Sequence, residues 1–511
     1  MRRIVPLLAL LCAPTFGFAQ SLPSPLVATP TLPSQAANKA YVDKGATRTV
    51  NVLDKGALMD CVTDDTAAFQ AAINAVQATG GVVDVPPGCA VIAGLTINST
   101  HGTSLRGQGP NTSILKAKTA TTTIIGANGP YIDIGGFSFV AASGTQTGGA
   151  YVVLNNSPVS NLHNFEMLNG WNPIVIRSGF AVNVYQGSIR ATAASSTVIS
   201  VDGGNDQFLY NLVVDNDALA QPANGIFVVS SGAIWIRDVD FIHSGNGLVL
   251  APPAGKNITW IFVQDSAFDT GSGCGIMLSP AAGAFINGSN FTNTWTGSNQ
   301  KGVCTAGGGT IDGVSFNHHR SFLNNAEGFL FLNGVNIVLD GNTQVSGNSA
   351  AEPGVRNGVE FGSNVSGWSV RNSHIGAGNG FPPSHANNIA VDAGVTNDAQ
   401  IMNNDLRGAI GKPFNSASSG SNRIIGGNLG YPTIVKGGAA VTAGATSIAV
   451  LHGLPPTAAI LPGTIVVTPT ANALGAQFWV SAITTTSFTV TLSVATAADF
   501  TFNWRIDTTD F

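Results

Sequence analysis

The feature that most constrains this chain is a loose repeat between roughly residues 90 and 432. One apolar position recurs as Phe139, Met167, Ile189, Val214, Phe241, Phe268, Phe291, Phe316, Val345, Ile375 and Leu406, at steps of 22 to 31 residues. Three residues before each stands Gly136, Asn164, Gln186, Asn211, Asp238, Asp265, Gly288, Gly313, Asn342, Asn372 or Asn403. All but Gln186 are Gly, Asn or Asp, the residues that tolerate a left-handed backbone, so a sharp bend is expected just before each strand. A second column follows: Gly225-Ile226, Gly247-Leu248, Gly275-Ile276, Gly302-Val303, Gly328-Phe329, Gly358-Val359 and Asn388-Ile389, opening strands such as IFVV and FLFL. Bend, strand, loop and strand in fixed order at this period indicate a β-solenoid. Separate β-sandwich domains would also supply short strands, but they have no need of the same bend residue in every segment. Stacked coils place equivalent residues about 4.8 Å apart. The Phe241, Phe268, Phe291 and Phe316 rings are therefore expected to pile up inside, with bend asparagines bonding along the outer edge.

Residues 64 to 88, DDTAAFQAAINAVQATGGVVDVPPG, are unlike anything later in the chain. Phe69, Ala72, Ile73 and Val76 fall on one helical stripe, predicting a helix over 65–79 that Asp64 or Thr63 caps and Gly80-Gly81 ends. An open solenoid exposes unpaired strand edges and the apolar interior of its first coil, so this helix is read as a cap over that end. Asp64 and Asp65 are then capping residues, not catalytic ones.

This opening, with coils that end in IIGGNLGYP, resembles the pectate-lyase-like right-handed parallel β-helix superfamily, which includes bacteriophage tailspikes and polysaccharide depolymerases. The resemblance covers about residues 50 to 432. It implies an all-β solenoid with an N-terminal capping helix and polysaccharide as the partner, though one fold hosts many functions.

Residues 1–19 combine two arginines, an apolar run and small residues before Gln20, the pattern of a cleavable secretory signal. A secreted, periplasmic or cell-surface location follows, with no membrane span. Residues 20–48 are proline-rich and read as an extended linker. LPSQAANKAYVD within them resembles connectors near the trimer axis of phage tail fibres, compatible with a homotrimer. Tail proteins carry no secretion signal, so the leader departs from that pattern and a cell-encoded, exported relative is the more economical reading. From Ile434 to Phe511 alternating β sequence predicts a small C-terminal β-sandwich, similar to fibre and spike domains that trimerise or bind sugar. There, a buried Trp479 and a turn His452 are expected. After the leader four cysteines remain, suited to an oxidising compartment: Cys61 and Cys89 flank the opening unit, and Cys274 and Cys304 lie about one repeat apart. Either two bridges or buried free thiols fit. The formal charge of −5 gives no basic footprint for nucleic acid.

A closed core sends any ligand to the outer surface. The connection from ladder residue to second column is 6 residues at Phe241 and 7 at Phe268, against 11 at Val214 and Phe291, which predicts a groove floored near Phe241 and Phe268. Neighbours of inward ladder residues point out. The outward set is Asp215, Asp240, Asp269 and Asn317, with His243, His318, His319, Arg320 and Glu327 on adjoining loops. One coil step and two residues along the strand separate Asp240 from Asp269 by roughly 8 Å, within the spacing of acid and base in inverting glycosidases. Asp215 and Asp240 share that offset. The catalytic candidates are Asp215, Asp240, Asp269 and Glu327; His243, Trp295, Asn317, His318, His319 and Arg320 are candidates for substrate binding. Trp295 is favoured over Trp260 and Trp368 for stacking on sugar. A hydrolase needs no cofactor. A lyase would need a base, for which Arg320 is the candidate, and a cation such as Ca2+ or a basic group to neutralise a uronate. The alternative to an exported polysaccharide-degrading enzyme is a non-catalytic glycan-binding adhesin or fibre.

Overall fold

The computed structural model describes residues 48–190, 196–216, 220–395, 399–418, 423–454, 462–472 and 475–508. The leader and nearly all of the expected linker lie outside the described residues. From Thr49 the chain winds into a parallel β-solenoid of about 13 turns, with neighbouring coils in parallel register throughout. One long sheet carries the bent strands, and a second carries the strands of the Gly225-Ile226 column. That column is continuous through Ile226, Leu248, Ile276, Val303, Phe329, Val359 and Ile389, one residue per coil, as the sequence indicates.

All eleven predicted bend residues have positive φ, from 49° at Asn164 and Asp265 to 82° at Gly136, and Gln186 is among them at 54°. Each bend divides a strand into two limbs that face different directions, as in Ile234–Ile242 with its corner at Asp238. All eleven ladder residues are buried, yet they do not form one stack. Phe241 pairs with Phe268, whose next neighbour is Thr296 and then Ser321. Phe291 and Phe316 lie on the limb before the bend and stack on each other, ring centroids 4.6 Å apart. Gly288 and Gly313 accordingly belong to a different turn, in line with Trp260, while Asn293 and His318 continue the bend column after Asp265. The reason is chemical: at Thr296 and Ser321 the interior turns polar, so an apolar search steps to the nearest phenylalanine. Thr296 bonds the His319 ring, and Ser321 donates to the Gly328 carbonyl.

The first helix runs Thr66–Val76, shorter than predicted because Gln77 already serves as the C-cap. Its buried face is Phe69, Ala72, Ile73 and Val76. Asp64 accepts from the Thr66 N–H at 3.0 Å, whereas buried Asp65 instead ties down the Leu58 and Met59 amides. The helix also satisfies the free edge of the second sheet: Gln70 exchanges two bonds of 2.9 Å with the Thr96 backbone, and Gln77 accepts from Asn98. Thus the cap covers both the apolar interior and the unpaired strand. Disulfides Cys61–Cys89 and Cys274–Cys304 each link neighbouring coils.

Beyond the solenoid, two three-stranded antiparallel sheets share a core containing Val441, Phe488, Val490, Phe500, Phe502 and Ile506. His452 is a buried turn residue whose Nδ1 accepts from Leu454 N. Trp479, expected inside, is exposed.

Candidate active site

Three successive bent strands carry the carboxylates on their limbs after the bend. In Gln207–Asp215, Ile234–Ile242 and Ala267–Asp269, core residues Val214, Phe241 and Phe268 point inward, and alternation sends the flanking positions outward. Two outward rows result. One runs Val213, Asp240, Ala267, Trp295, Arg320; the other runs Asp215, Ile242, Asp269, Gly297, Phe322. Asp240 therefore sits on the coil between Asp215 and Asp269, offset by two residues from each. The register gives about 8 Å between the Asp240 and Asp269 Cα atoms.

His243, in a left-handed turn at φ 57°, stands between the outer two carboxylates. Its Nδ1 lies 3.5 Å from Asp215 Oδ1 and 3.0 Å from the Asn216 carbonyl, and its backbone N–H bonds the Asp269 carbonyl at 3.2 Å. Burial raises the pKa of Asp240, and repulsion from Asp269 and then Asp215 adds to it. Burial also raises Asp269, partly offset by the Thr270 hydroxyl, His243 and the Trp295 indole. The Trp295 N–H makes no close hydrogen bond itself, so its influence on Asp269 is that of a nearby dipole.

Connections after Phe241, Phe268, Thr296 and Ser321 are all short, and those after Val214 and Val345 are longer, so the groove is wider than the sequence ladder predicts. At one end Gln221 reaches across to bond the Thr270 carbonyl and Ser272 N–H. At the other an aromatic wall rises: Trp295 meets Phe322 edge-on at 5.2 Å, and Phe381 packs on Phe322 at 5.5 Å. Arg320 is exposed beside Trp295.

Asp215, Asp240, Asp269, His243, Trp295 and Arg320 thus share one groove. The other candidates do not. His319 is wholly buried inside the solenoid, its ring held by the Thr294 and Thr296 hydroxyls at 2.7 and 2.9 Å, and burial pushes its pKa down to about 3. It is a neutral core residue and is unsuited to substrate contact. His318 forms the bend at φ 54°. Asn317 lies on the limb before that bend, facing another side. Glu327 is buried with Arg356 Nη1 at 3.6 Å, so a role as an exposed second acid does not fit its position. Phe322 and Phe381 were not anticipated; with Phe268 correctly aligned to Thr296, Phe322 falls directly in the Asp269 row. Trp368 is a core residue stacked on Phe361.

Among the described residues no three His, Cys, Asp or Glu side chains are placed to share a metal ion. The carboxylates spread along the groove rather than converging, which suits proton transfer at two separated points.

Residues 49–298 match the family model described as rhamnogalacturonase A/epimerase, pectate lyase-like. No curated protein matches the chain in sequence. Among solved structures, the Dettilon tailspike protein is similar at TM-score 0.53 and 13% identity, over 91% of this chain and 95% of that one. A variant tailspike of E. coli bacteriophage HK620, in complex with a pentasaccharide, is similar at TM-score 0.54 and 11% identity, over 91% and 94%. The AlgE6 A-module, a mannuronan C-5 epimerase of Azotobacter vinelandii, gives TM-score 0.51 and 17% identity over 75% and 99%. At such identities these likenesses bear on fold. The fold, together with the family match over residues 49–298, fits a pectate-lyase-like parallel β-helix superfamily.

Proposed function

We propose that the chain is an exported, polysaccharide-degrading hydrolase that works by inversion, with Asp240 as general acid and Asp269 as general base. The observation that carries this reading is the pair of half-buried carboxylates, both raised in pKa, on the floor of an open groove, with Cα atoms that the strand register places about 8 Å apart. Inverting glycosidases hold their two carboxyls about 6.5–9.5 Å apart to leave room for a water between base and sugar, and this backbone offset is compatible with that range. Asp240 is pressed by two neighbouring carboxylates and holds its proton more readily; Asp269 is stabilised as an anion by Thr270, His243 and Trp295. As the glycosidic C–O bond breaks, Asp240 gives its proton to the leaving oxygen. Asp269 takes a proton from the water that attacks the anomeric carbon from the opposite face. Exchange with solvent then restores both groups.

Glycan as substrate is supported by the fold shared with tailspikes, one of them in complex with a pentasaccharide. Export rests on the leader at residues 1–19, and recovery of extracytoplasmic protein beginning at Gln20 tests it. The activity is tested by incubating the mature chain with pectins and bacterial exopolysaccharides while following chain length and the ultraviolet absorbance of unsaturated products. Shortening without that absorbance is expected. Shortening with it would replace hydrolysis by elimination, and no shortening on a broad panel would favour the glycan-binding fibre.

A further inference from the structure

On the same three coils, but on the limb before the bend, the outer surface is aromatic instead of acidic. One row runs Phe208, Trp235, Phe262; the next runs Tyr185, Tyr210, Arg237, Gln264. Tyr185 stacks on Tyr210 at 4.9 Å, and Trp235 on Phe262 at 4.2 Å. These rings are not core residues: Trp235 is 39% exposed and the others are partly so. Arg237 turns aside to Asp238, Nε to Oδ2 3.0 Å, and between the rows lies a cavity of about 320 Å³ lined by Phe208, Tyr210, Trp235, Phe262 and Gln264 among others. That volume is at the lower end of small-ligand pockets.

We infer that this aromatic limb is a second glycan-binding site, which holds a polysaccharide chain along the solenoid axis. Three observations select this occupant. The rows are two residues apart on one strand, about 7 Å, too narrow a channel for an α-helix about 10 Å or more across. The surface is a sheet face whose backbone groups are already paired between coils, so it offers no edge to which an extended peptide could add. Finally, apolar ring surface alternates with the Tyr210 hydroxyl, Arg237 and Gln264, the mixture that suits the C–H faces and hydroxyls of a sugar. The inference rests on the proposed glycan activity only for its substrate class, since binding is measured without turnover.

The test is native electrophoresis of the full chain through gels containing polygalacturonate, alginate or xylan. It uses an Asp240→Asn background, with and without Trp235→Ala plus Tyr210→Ala. Retardation of the parent in at least one gel, weakened at least tenfold in apparent affinity by the aromatic substitutions and largely kept by Trp235→Phe, is the expected result. An unchanged retardation in the double variant would overturn the proposal, as would a parent that none of the three polymers retards. If light scattering instead shows an oligomer that the aromatic substitutions dissociate, the face is an interface between copies and the proposal is overturned. Loss of retardation together with full turnover in Asp269→Asn would sink the hydrolase mechanism while leaving this site standing.

Discussion

Two parts of the surface gather carboxylates on neighbouring coils, and they treat the charge in opposite ways. In the groove, among the described residues, neither Asp240 nor Asp269 has an Arg or Lys partner, and both are raised in pKa by burial. At the corner formed by Glu327, Arg356 and Glu360, a guanidinium stands 3.6 Å from buried Glu327, and Asn357 donates to Glu360 Oε2 at 2.8 Å. Burial raises Glu360 too, with Glu327 adding repulsion and Asn357 and Arg356 opposing it. At the corner Glu327 is buried and Arg356 offsets the charge of both carboxylates, whereas half-buried Asp240 and Asp269 face an open groove with no Arg or Lys to offset theirs. Unpaired charge costs stability, so its presence beside an accessible cleft points to chemistry, and compensated charge points to structure.

The largest expected difference between the two regions is therefore in turnover. Asp240→Asn and Asp269→Asn should each lower kcat by about 10²–10⁴-fold, the worth of a positioned acid or base, with polymer binding retained. Glu327→Gln should leave kcat within about threefold. Reducing-end release paired with gel retardation measures both quantities. A Glu327→Gln collapse with active aspartate variants would exchange the roles of groove and corner.

Stability should reverse that order. Arg356→Ala leaves the Glu327 carboxylate buried without its counter-charge, when one of its oxygens already lacks a partner. Removing one member of a buried pair costs 3–5 kcal/mol, but Arg356 is half exposed and water can replace it in part, so a loss of about 2 kcal/mol is expected. A urea midpoint equal to that of the parent would show that the pair contributes nothing and would weaken the contrast.

Much of this architecture is legible in the sequence because a solenoid repeats its constraints. Ten of the eleven bends could be placed from residue type alone, since a left-handed corner selects Gly, Asn or Asp; Gln186, the eleventh, could be placed only because its neighbours in the column establish the rule. The second-sheet column is correct throughout because Gly precedes a buried aliphatic residue in nearly every coil. The ladder slipped where the interior exchanges hydrocarbon for hydrogen bonds at Thr296, His319 and Ser321, since apolar periodicity carries no signal for a polar core. That slip narrowed the expected groove and put His319 on the surface. The outward placement of Asp240 and Asp269 depended only on alternation about Phe241 and Phe268, which lie before the slip. The aromatic limb was missed for a different reason. Phe208, Trp235 and Phe262 resemble core residues until the register shows that they alternate with Leu209, Ile236 and Val263, which are the buried ones.

The pH dependence of folding separates the regions more finely. Raised carboxylates bind protons more tightly in the folded state than in the unfolded one. Their contribution is most favourable at low pH and is lost as pH rises from about 4, the ordinary carboxylate value, through the raised folded values. Asp240→Asn removes that loss, so its unfolding midpoint should exceed the parent's by about 1–2 °C at pH 7, with the difference vanishing towards pH 4. Asp405 has the opposite sign: Arg407 holds it down to about 2, so its contribution is present above the ordinary carboxylate value and fades as pH falls towards 2. In turnover, loss of the Asp240 proton should produce the alkaline limb of the rate profile. Melting curves for Asp240→Asn that track the parent at every pH would contradict the unpaired-charge account of the groove.

The smallest effect is expected at Glu360, and it is the sharpest check on the idea of compensation. Glu360 shares with Asp240 a pKa raised by burial and by a neighbouring carboxylate. If those influences alone defined a reactive carboxyl, Glu360 would qualify. It differs in that Asn357 donates to it and Arg356 offsets its charge. Glu360→Gln keeps an oxygen to accept from Asn357 and removes the repulsion from Glu327, so it should change stability by no more than about 0.5 kcal/mol and leave kcat unaltered. A loss of turnover in Glu360→Gln comparable to that in Asp240→Asn would mean that accessibility, not pairing, had been misjudged as the divide between the two regions.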